Sequence, residues 1–321
     1  MKIVFMGTSD FSASVLEKLN KVYAVSAVVT GLDKVSGRGQ RLIFSALKTK
    51  AIELSIPVMQ FEKVSRDGID AIKALNADVI ITAAFGQILS DEFLKIAPYG
   101  TLNVHASLLP KYRGSSPIQQ AVIDGEKMTG ITIMRTVKEV DAGDILLQKE
   151  TAIGKSETAG ELFERLSILG GEAIIEAISL LESGKAVFTP QNSNMATHCK
   201  MLKKDDGKID FSKTAKELDC FVRGMNPWPS AFTYLDGKML KVWEIKQQIT
   251  KDNFNESKNF GKVLVANPKE GLIVLCRDGA VKLVKIQAEN GKAMTSEEFL
   301  RGKSIAEGKI LGDFCEIGDA K

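Results

Sequence analysis

Up to residue 190 the chain alternates two kinds of segment, and this alternation limits the fold more than any other feature. Residues 2–6, 24–30, 78–83 and 101–105 are short, apolar and rich in β-branched side chains. Between them, residues 11–20, 44–54 and 67–75 place apolar side chains at helical spacing. A strand that is apolar on both faces must be covered on both, and helices between successive strands supply the cover. The pattern predicts a mostly parallel sheet. Residues 130–137 and 144–149 follow closely and fit an edge of that sheet. In residues 158–183, Leu162, Leu166, Leu169, Ala173 and Ile174 recur at helical spacing, and Gly184 ends the helix.

Past residue 190 the character changes. Pro190, Gln191, Asn192, Ser193 and Asn194 open a polar stretch that Lys200, Lys203 and Lys204 continue. Such composition reads as an interdomain linker. After one helix at residues 214–225 come short strands at 231–235, 239–245, 262–266, 272–277 and 280–288. Asp236-Gly237 and Asp278-Gly279 separate pairs of these runs and are hairpin signals. Five short strands with tight turns suit a small β-barrel. The expected fold class is therefore α/β. A Rossmann-like, mostly parallel sheet domain spans residues 1–190, a linker spans 191–207, and a small OB-like β-barrel domain spans 208–321.

Composition excludes several classes. With 321 residues, 44% hydrophobic and 26% charged, the chain is globular and long enough to bury a core without disulfide or metal staples. The four cysteines have no paired spacing, which fits a reducing cytoplasm and argues against a zinc ribbon or disulfide framework. No signal-peptide pattern opens the chain and no apolar run reaches the length of a membrane span, so no membrane role is expected. A net charge of +3 does not by itself announce nucleic acid. Lys238, Lys241, Lys246, Lys262, Lys282 and Lys285 gather in the barrel segment, as solubilising residues or as a basic face.

Three motifs carry chemistry. Gly7-Thr8-Ser9-Asp10-Phe11 follows the first strand but lacks the further glycines of a dinucleotide fingerprint, and it reads best as a tight turn with Thr8 or Ser9 capping a helix. The run from Asn103 to Gly114 is more informative. Asn103 and His105 are two apart on an extended segment, so they face the same way. The loop after them lies at a strand's carboxyl end, where open α/β sheets place ligands, and Ser116-Pro117 restarts a helix. An Asn amide can donate to a polarised oxygen and a His can shuttle a proton. Val140-Asp141-Ala142-Gly143-Asp144 is an acidic turn that can bring a carboxylate to the imidazole, orient it and stabilise its charged form.

Asn103-x-His105 with the Ser107–Gly114 loop, and Asp141 in Val-Asp-Ala-Gly-Asp-Ile, resemble the formyltetrahydrofolate-dependent formyltransferase superfamily. Residues 226–230, 233–238 and 296–302 resemble its tRNA-directed branch, and the likeness runs essentially end to end. The resemblance implies transfer of a formyl group from 10-formyltetrahydrofolate to the α-amine of initiator methionyl-tRNA, giving the formylated tRNA that starts translation. It implies Asn103 and His105 at the formyl oxygen, Asp141 as partner and proton relay, and no metal. Folate would sit against Phe85, Gly86, Gln87, Ile88 and Leu89, with Val140, Leu102 and the loop Ser107, Leu108, Leu109 and Pro110 beside it. Relatives often carry Tyr where Phe85 stands, so a role for that hydroxyl does not transfer; Ile88 and Leu89 read equally as core. The basic loop 36–41 would order on the acceptor stem through Arg38 and Arg41, and Lys200, Lys203 or Lys204 would touch tRNA from the linker. A monomer is expected. The rival readings are a formyl transferase for another small amine and a non-catalytic RNA-binding protein. The second half of the chain argues against the first, and the intact triad of Asn103, His105 and Asp141 against the second.

Overall fold

The structure, a computed structural model, describes residues 1–36, 41–248 and 259–312. The chain forms two compact units that do not follow chain order. One comprises Met1–Pro117, Met128–Ala152 and Leu162–Lys200; the other comprises Ile118–Lys127, Ile153–Glu161 and Met201–Lys321. The segment expected as a linker, 191–207, is thus divided after Lys200.

The first unit is built on a seven-stranded sheet. Across it the strands run Ile145–Ala152, Met128–Arg135, Thr101–His105, Val79–Ala83, Ile3–Gly7, Val25–Thr30 and Val58–Gln60. The last five pair in parallel. Met128–Arg135 and Ile145–Ala152 add antiparallel, forming the expected edge. All five residues of Ile3–Gly7 and of Val79–Ala83 are buried, as cover on both faces requires. Alternation sends Val4, Met6, Ala27, Val29 and Ile80 into one cluster with Phe85, Leu89 and Phe93. At the end of the first strand, Ser9 caps the helix Asp10–Asn20 by accepting from the Ser12 N–H. A Cβ on Gly7 would lie 2.4 Å from the Ser12 Cβ and 2.5 Å from the Ala83 carbonyl oxygen, so the turn is tight because nothing larger fits.

The second unit carries an antiparallel β domain. Its strands run in the order Ala231–Leu235, Lys238–Gln248, Gly279–Ala288, Gly271–Cys276 and Val263–Asn267, with Met294–Thr295 beside Gly279–Ala288. Among the described residues no ladder joins the two ends of this order. Asp236 and Gly237 both have positive φ, at 54° and 72°, the conformation that a two-residue hairpin turn of matching twist demands. One side of the sheet packs on the helix Ala215–Gly224, which starts at a capping box between Thr214 and Glu217. Leu202, Ile209 and Phe211 lie in that same core, which is why the polar stretch joins this unit beyond residue 200. No helix among the described residues is long and apolar enough to cross a membrane.

Cys276 sits in this core, and burial pushes its thiol up to about 11. Three units below that value, about one thiol in a thousand is the reactive thiolate. Iodoacetamide at pH 8 is expected to leave Cys276 unmodified in the folded chain and to label it in denaturant, as peptide mass mapping would show. Rapid labelling of the native chain would contradict the core placement.

Candidate active site

Asn103 and His105 lie on the strand Thr101–His105, and both turn toward Asp141. The Asn103 side-chain nitrogen donates to Asp141 Oδ1 at 3.3 Å, while its oxygen accepts from the Thr82 hydroxyl at 2.9 Å. A carboxylate only accepts, so Asp141 fixes which end of the amide faces it, and the Thr82 hydroxyl receives the other end. The Asn103 nitrogen carries a second hydrogen. His105 is buried, with Nδ1 3.6 Å from Asp141 Oδ2 and Nε2 2.9 Å from the Tyr112 carbonyl oxygen. A carbonyl only accepts, so Nε2 carries a proton. The main-chain N–H of Gly114 donates to Asp141 Oδ2 at 2.8 Å. Asp141 itself has φ of 52°, a left-handed backbone that few non-glycine residues adopt.

The loop from Ser107 to Gly114 is held from two sides. Thr132 donates to the Ser107 carbonyl at 2.6 Å and accepts from the Leu109 N–H at 3.1 Å. Gln148 donates to the Leu109 carbonyl and to the Thr132 hydroxyl, both at 2.9 Å. Both braces stand on the antiparallel edge strands. From the other side, His198–Cys199 pairs in parallel with Arg113–Gly114, and the Thr197 hydroxyl accepts from the Tyr112 N–H at 2.8 Å. Gly114 has φ of 113°, and a Cβ there would lie 2.2 Å from the Cys199 carbonyl oxygen. Glycine is required where this backbone meets both Cys199 and Asp141.

Asn103, His105 and Asp141 are thus brought together. The residues expected at folate separate into two groups. Phe85, Leu89 and Leu102 are buried, Phe85 and Leu89 within the sheet's core cluster. The Gln87 side-chain oxygen accepts from the Val64 N–H at 2.9 Å and so caps a neighbouring helix. Gly86 takes a positive φ of 74°. Ile88, 81% exposed, and Val140, 59% exposed, are the large apolar side chains of these segments that face outward. Ser107 is buried with its hydroxyl donating to the Lys111 carbonyl at 2.7 Å, Leu109 is buried, and Leu108 and Pro110 are half-buried. A cavity of about 450 Å³, lined by Leu94, Lys95, Thr101, Arg135, Val137 and Lys138 among others, includes none of the residues expected at folate.

Of the residues expected at tRNA, Arg38 lies outside the described residues. Arg41 begins the short strand Arg41–Ile43, which pairs with Lys34–Ser36, so the flanks of the basic loop form a small ladder. Lys200, Lys203 and Lys204 are exposed. Sequence reasoning passed over Thr82, Thr132, Gln148, Gln191 and Thr197. Their signal is weak because each acts through a contact with a segment distant in sequence. Among the described residues no group of His, Cys, Asp and Glu is arranged to hold a metal ion.

A strand-end Asn and His sharing one carboxylate suit acyl-group transfer, and the comparisons agree with that chemistry. A family model described as formyl transferase matches residues 1–178, and one described as formyl transferase, C-terminal domain, matches residues 201–304. The chain belongs to the formyl transferase family. The methionyl-tRNA formyltransferase of Lachnospira eligens is 42% identical over 317 residues, spanning 98% of this chain and 100% of the relative. That of Acetivibrio thermocellus is 43% identical over 314 residues, spanning 97% of this chain and 100% of the relative. Among solved structures, an N-formyltransferase from Helicobacter canadensis, in complex with folinic acid and dTDP-3-aminofucose, matches with a TM-score of 0.65 at 18% identity, covering 92% of this chain and all of that one. HypX from Aquifex aeolicus, in complex with tetrahydrofolic acid, matches with a TM-score of 0.59 at 18% identity over 94% of this chain. The match covers 47% of HypX, so the chain spans about half its length. These two share the fold.

Proposed function

We propose that the chain transfers the formyl group of 10-formyltetrahydrofolate to the α-amine of initiator methionyl-tRNA. The observation that carries the reading is the convergence of Asn103, His105 and Asp141 at the carboxyl end of a parallel strand. Relatives that match over the full length and are named for methionyl-tRNA supply the acceptor. The C-terminal domain match means that the second unit belongs to the same reading. The acceptor is a substrate of translation, which supports work in the cytoplasm.

The reaction moves an acyl group between two nitrogens. The neutral amine attacks the formyl carbon, charge develops on the formyl oxygen, the attacking nitrogen loses a proton and the folate nitrogen gains one. Asn103 offers the developing oxyanion a donor whose direction the Asp141 carboxylate has set in advance, so little reorganisation is needed. His105 and Asp141 provide a short path for the proton, directly or through water. No covalent nucleophile is needed. Cys199, the cysteine beside this loop, is buried with its Sγ 3.4 Å from the Arg113 carbonyl oxygen. Folate would lie against the outward apolar side chains Ile88 and Val140. Arg38, Arg41, Lys200, Lys203 and Lys204 would serve the tRNA.

Incubation with methionylated initiator tRNA and 10-formyltetrahydrofolate is expected to yield formylmethionine on the tRNA. His105→Ala should fold and lose turnover by a factor of about 10²–10⁴. Asp141→Asn should be nearly as damaging. Near-wild-type rates for both variants would remove the assignment. Arg38→Ala should slow formylation strongly and lower the salt slope of tRNA binding by about one unit, with binding of a folate analogue nearly unchanged. Equal loss of folate and tRNA affinity would move the loop to the folate site.

A further inference from the structure

Behind the Asp141 carboxylate lies a second set of polar contacts that the catalytic reading does not use. Arg113 is a cation with 2% of its surface exposed. A buried guanidinium is tolerated only where its N–H groups find acceptors. Its Nε and Nη2 both donate to Gln191 Oε1, at 3.1 and 2.9 Å, and its Nη1 lies 3.4 Å from Glu139 Oε1. The Gln191 nitrogen donates in turn to two main-chain carbonyls, those of Asp141 and Gly143, each at 2.8 Å. The amide is fully used. Its oxygen takes two N–H groups and each of its two hydrogens has a carbonyl. The reverse orientation would set NH₂ against guanidinium and oxygen against two carbonyls, so only one is stable.

The turn gripped in this way needs holding. Asp141 is in the left-handed region, and a Cβ on Gly143 would lie 1.8 Å from the Arg135 carbonyl oxygen. An unfavourable backbone persists only where its surroundings over-determine it. Arg113 also precedes Gly114, whose N–H reaches the Asp141 carboxylate. One side chain therefore ties the loop after His105 to the turn that carries its partner.

We propose that Arg113 and Gln191 are positioning residues for the transfer reaction: they clamp the backbone of the Asp141 turn and so align its carboxylate with Asn103 and His105. The proposal rests on the reading of Asp141 as part of the active site. Both residues act through Asp141. Gln191 lies in a stretch whose composition reads as linker, which is why its role is invisible without the structure.

The test is a kinetic double-mutant cycle in the full chain. Gln191→Glu keeps an acceptor for Arg113 and replaces the donor with an oxygen that faces two carbonyls. Gln191→Leu has similar size and no polar atom, and serves if the first variant folds poorly. Each should lower kcat about 10- to 100-fold, the usual effect of misplacing a reacting group by about 1 Å. KM for both substrates should stay near wild type, while the denaturation midpoint should fall, more in Gln191→Leu, because each variant leaves buried polar groups unpaired. The double variant Gln191→Glu/Asp141→Asn should be no slower than Asp141→Asn alone, because a residue that acts through Asp141 has nothing left to act on. Losses that multiply would overturn the proposal, since Gln191 would then act independently. Wild-type kcat in both Gln191 variants, with Asp141→Asn inactive, would overturn it and leave the active-site reading intact. A rise in KM, or a fraction of unfolded chain at the assay temperature large enough to account for the loss in both variants, would make the contact merely structural and also overturn it. Full activity of Asp141→Asn would overturn the site reading and the proposal together.

Discussion

The site depends on one carboxylate. One strand and the loop that follows it meet the distant Asp141 through three groups: the Asn103 amide at 3.3 Å, the Gly114 N–H at 2.8 Å and the His105 ring at 3.6 Å. A carboxylate held by several donors is fixed in direction as well as in charge, and charge-assisted hydrogen bonds are the stronger kind. Each donor constrains its own segment. Thr82 must receive the oxygen end of the Asn103 amide, residue 114 must be glycine, and the loop between must be braced from the edge strands by Thr132 and Gln148. The antiparallel edge strands therefore do more than extend the sheet, because they carry the supports for the loop that follows the catalytic strand.

The same dependence explains how the chain divides. Residues 191–200 belong with the first unit because their backbone completes the site's loop: His198–Cys199 pairs with Arg113–Gly114, and Thr197 takes the Tyr112 N–H. Only after Lys200 does the chain begin to bury side chains in the second core, starting with Leu202. Cutting the chain near residue 190 would remove both the Gln191 contact and this strand. Such a truncation is a poor way to isolate the first unit's chemistry, despite the linker-like composition at that point.

Much of the fold was legible because it follows from repeated local rules. Buried runs separated by amphipathic helices could only be a covered parallel sheet, and Asp236-Gly237 supplied both positive φ angles of its hairpin. Asn103 and His105 were legible as a pair because alternation on a strand sets their direction without tertiary knowledge. Three features were not. The core membership of Phe85 was hidden, and Leu89 and Ile88 read equally as pocket or core, since periodicity cannot tell a pocket wall from a core wall; Leu89 joins the core and Ile88 faces outward. The supports at Thr132, Gln148 and Gln191 were hidden because each satisfies main-chain groups of a distant loop. The polar stretch after residue 190 was misleading for a related reason. Polar side chains mark solvent in most contexts, but a turn whose carbonyls need donors, as those of Asp141 and Gly143 do, needs them just as much.

The protonation state of His105 tests this arrangement most directly. The chain has only two histidines, so ¹⁵N imidazole spectra contain two spin systems. In the wild-type chain the His105 ring should carry a proton on Nε2, bound to the Tyr112 carbonyl. In Asp141→Asn its Nδ1 resonance should move while the other histidine, His198, stays in place. A His105 spectrum unchanged by Asp141→Asn would contradict a site organised around that carboxylate.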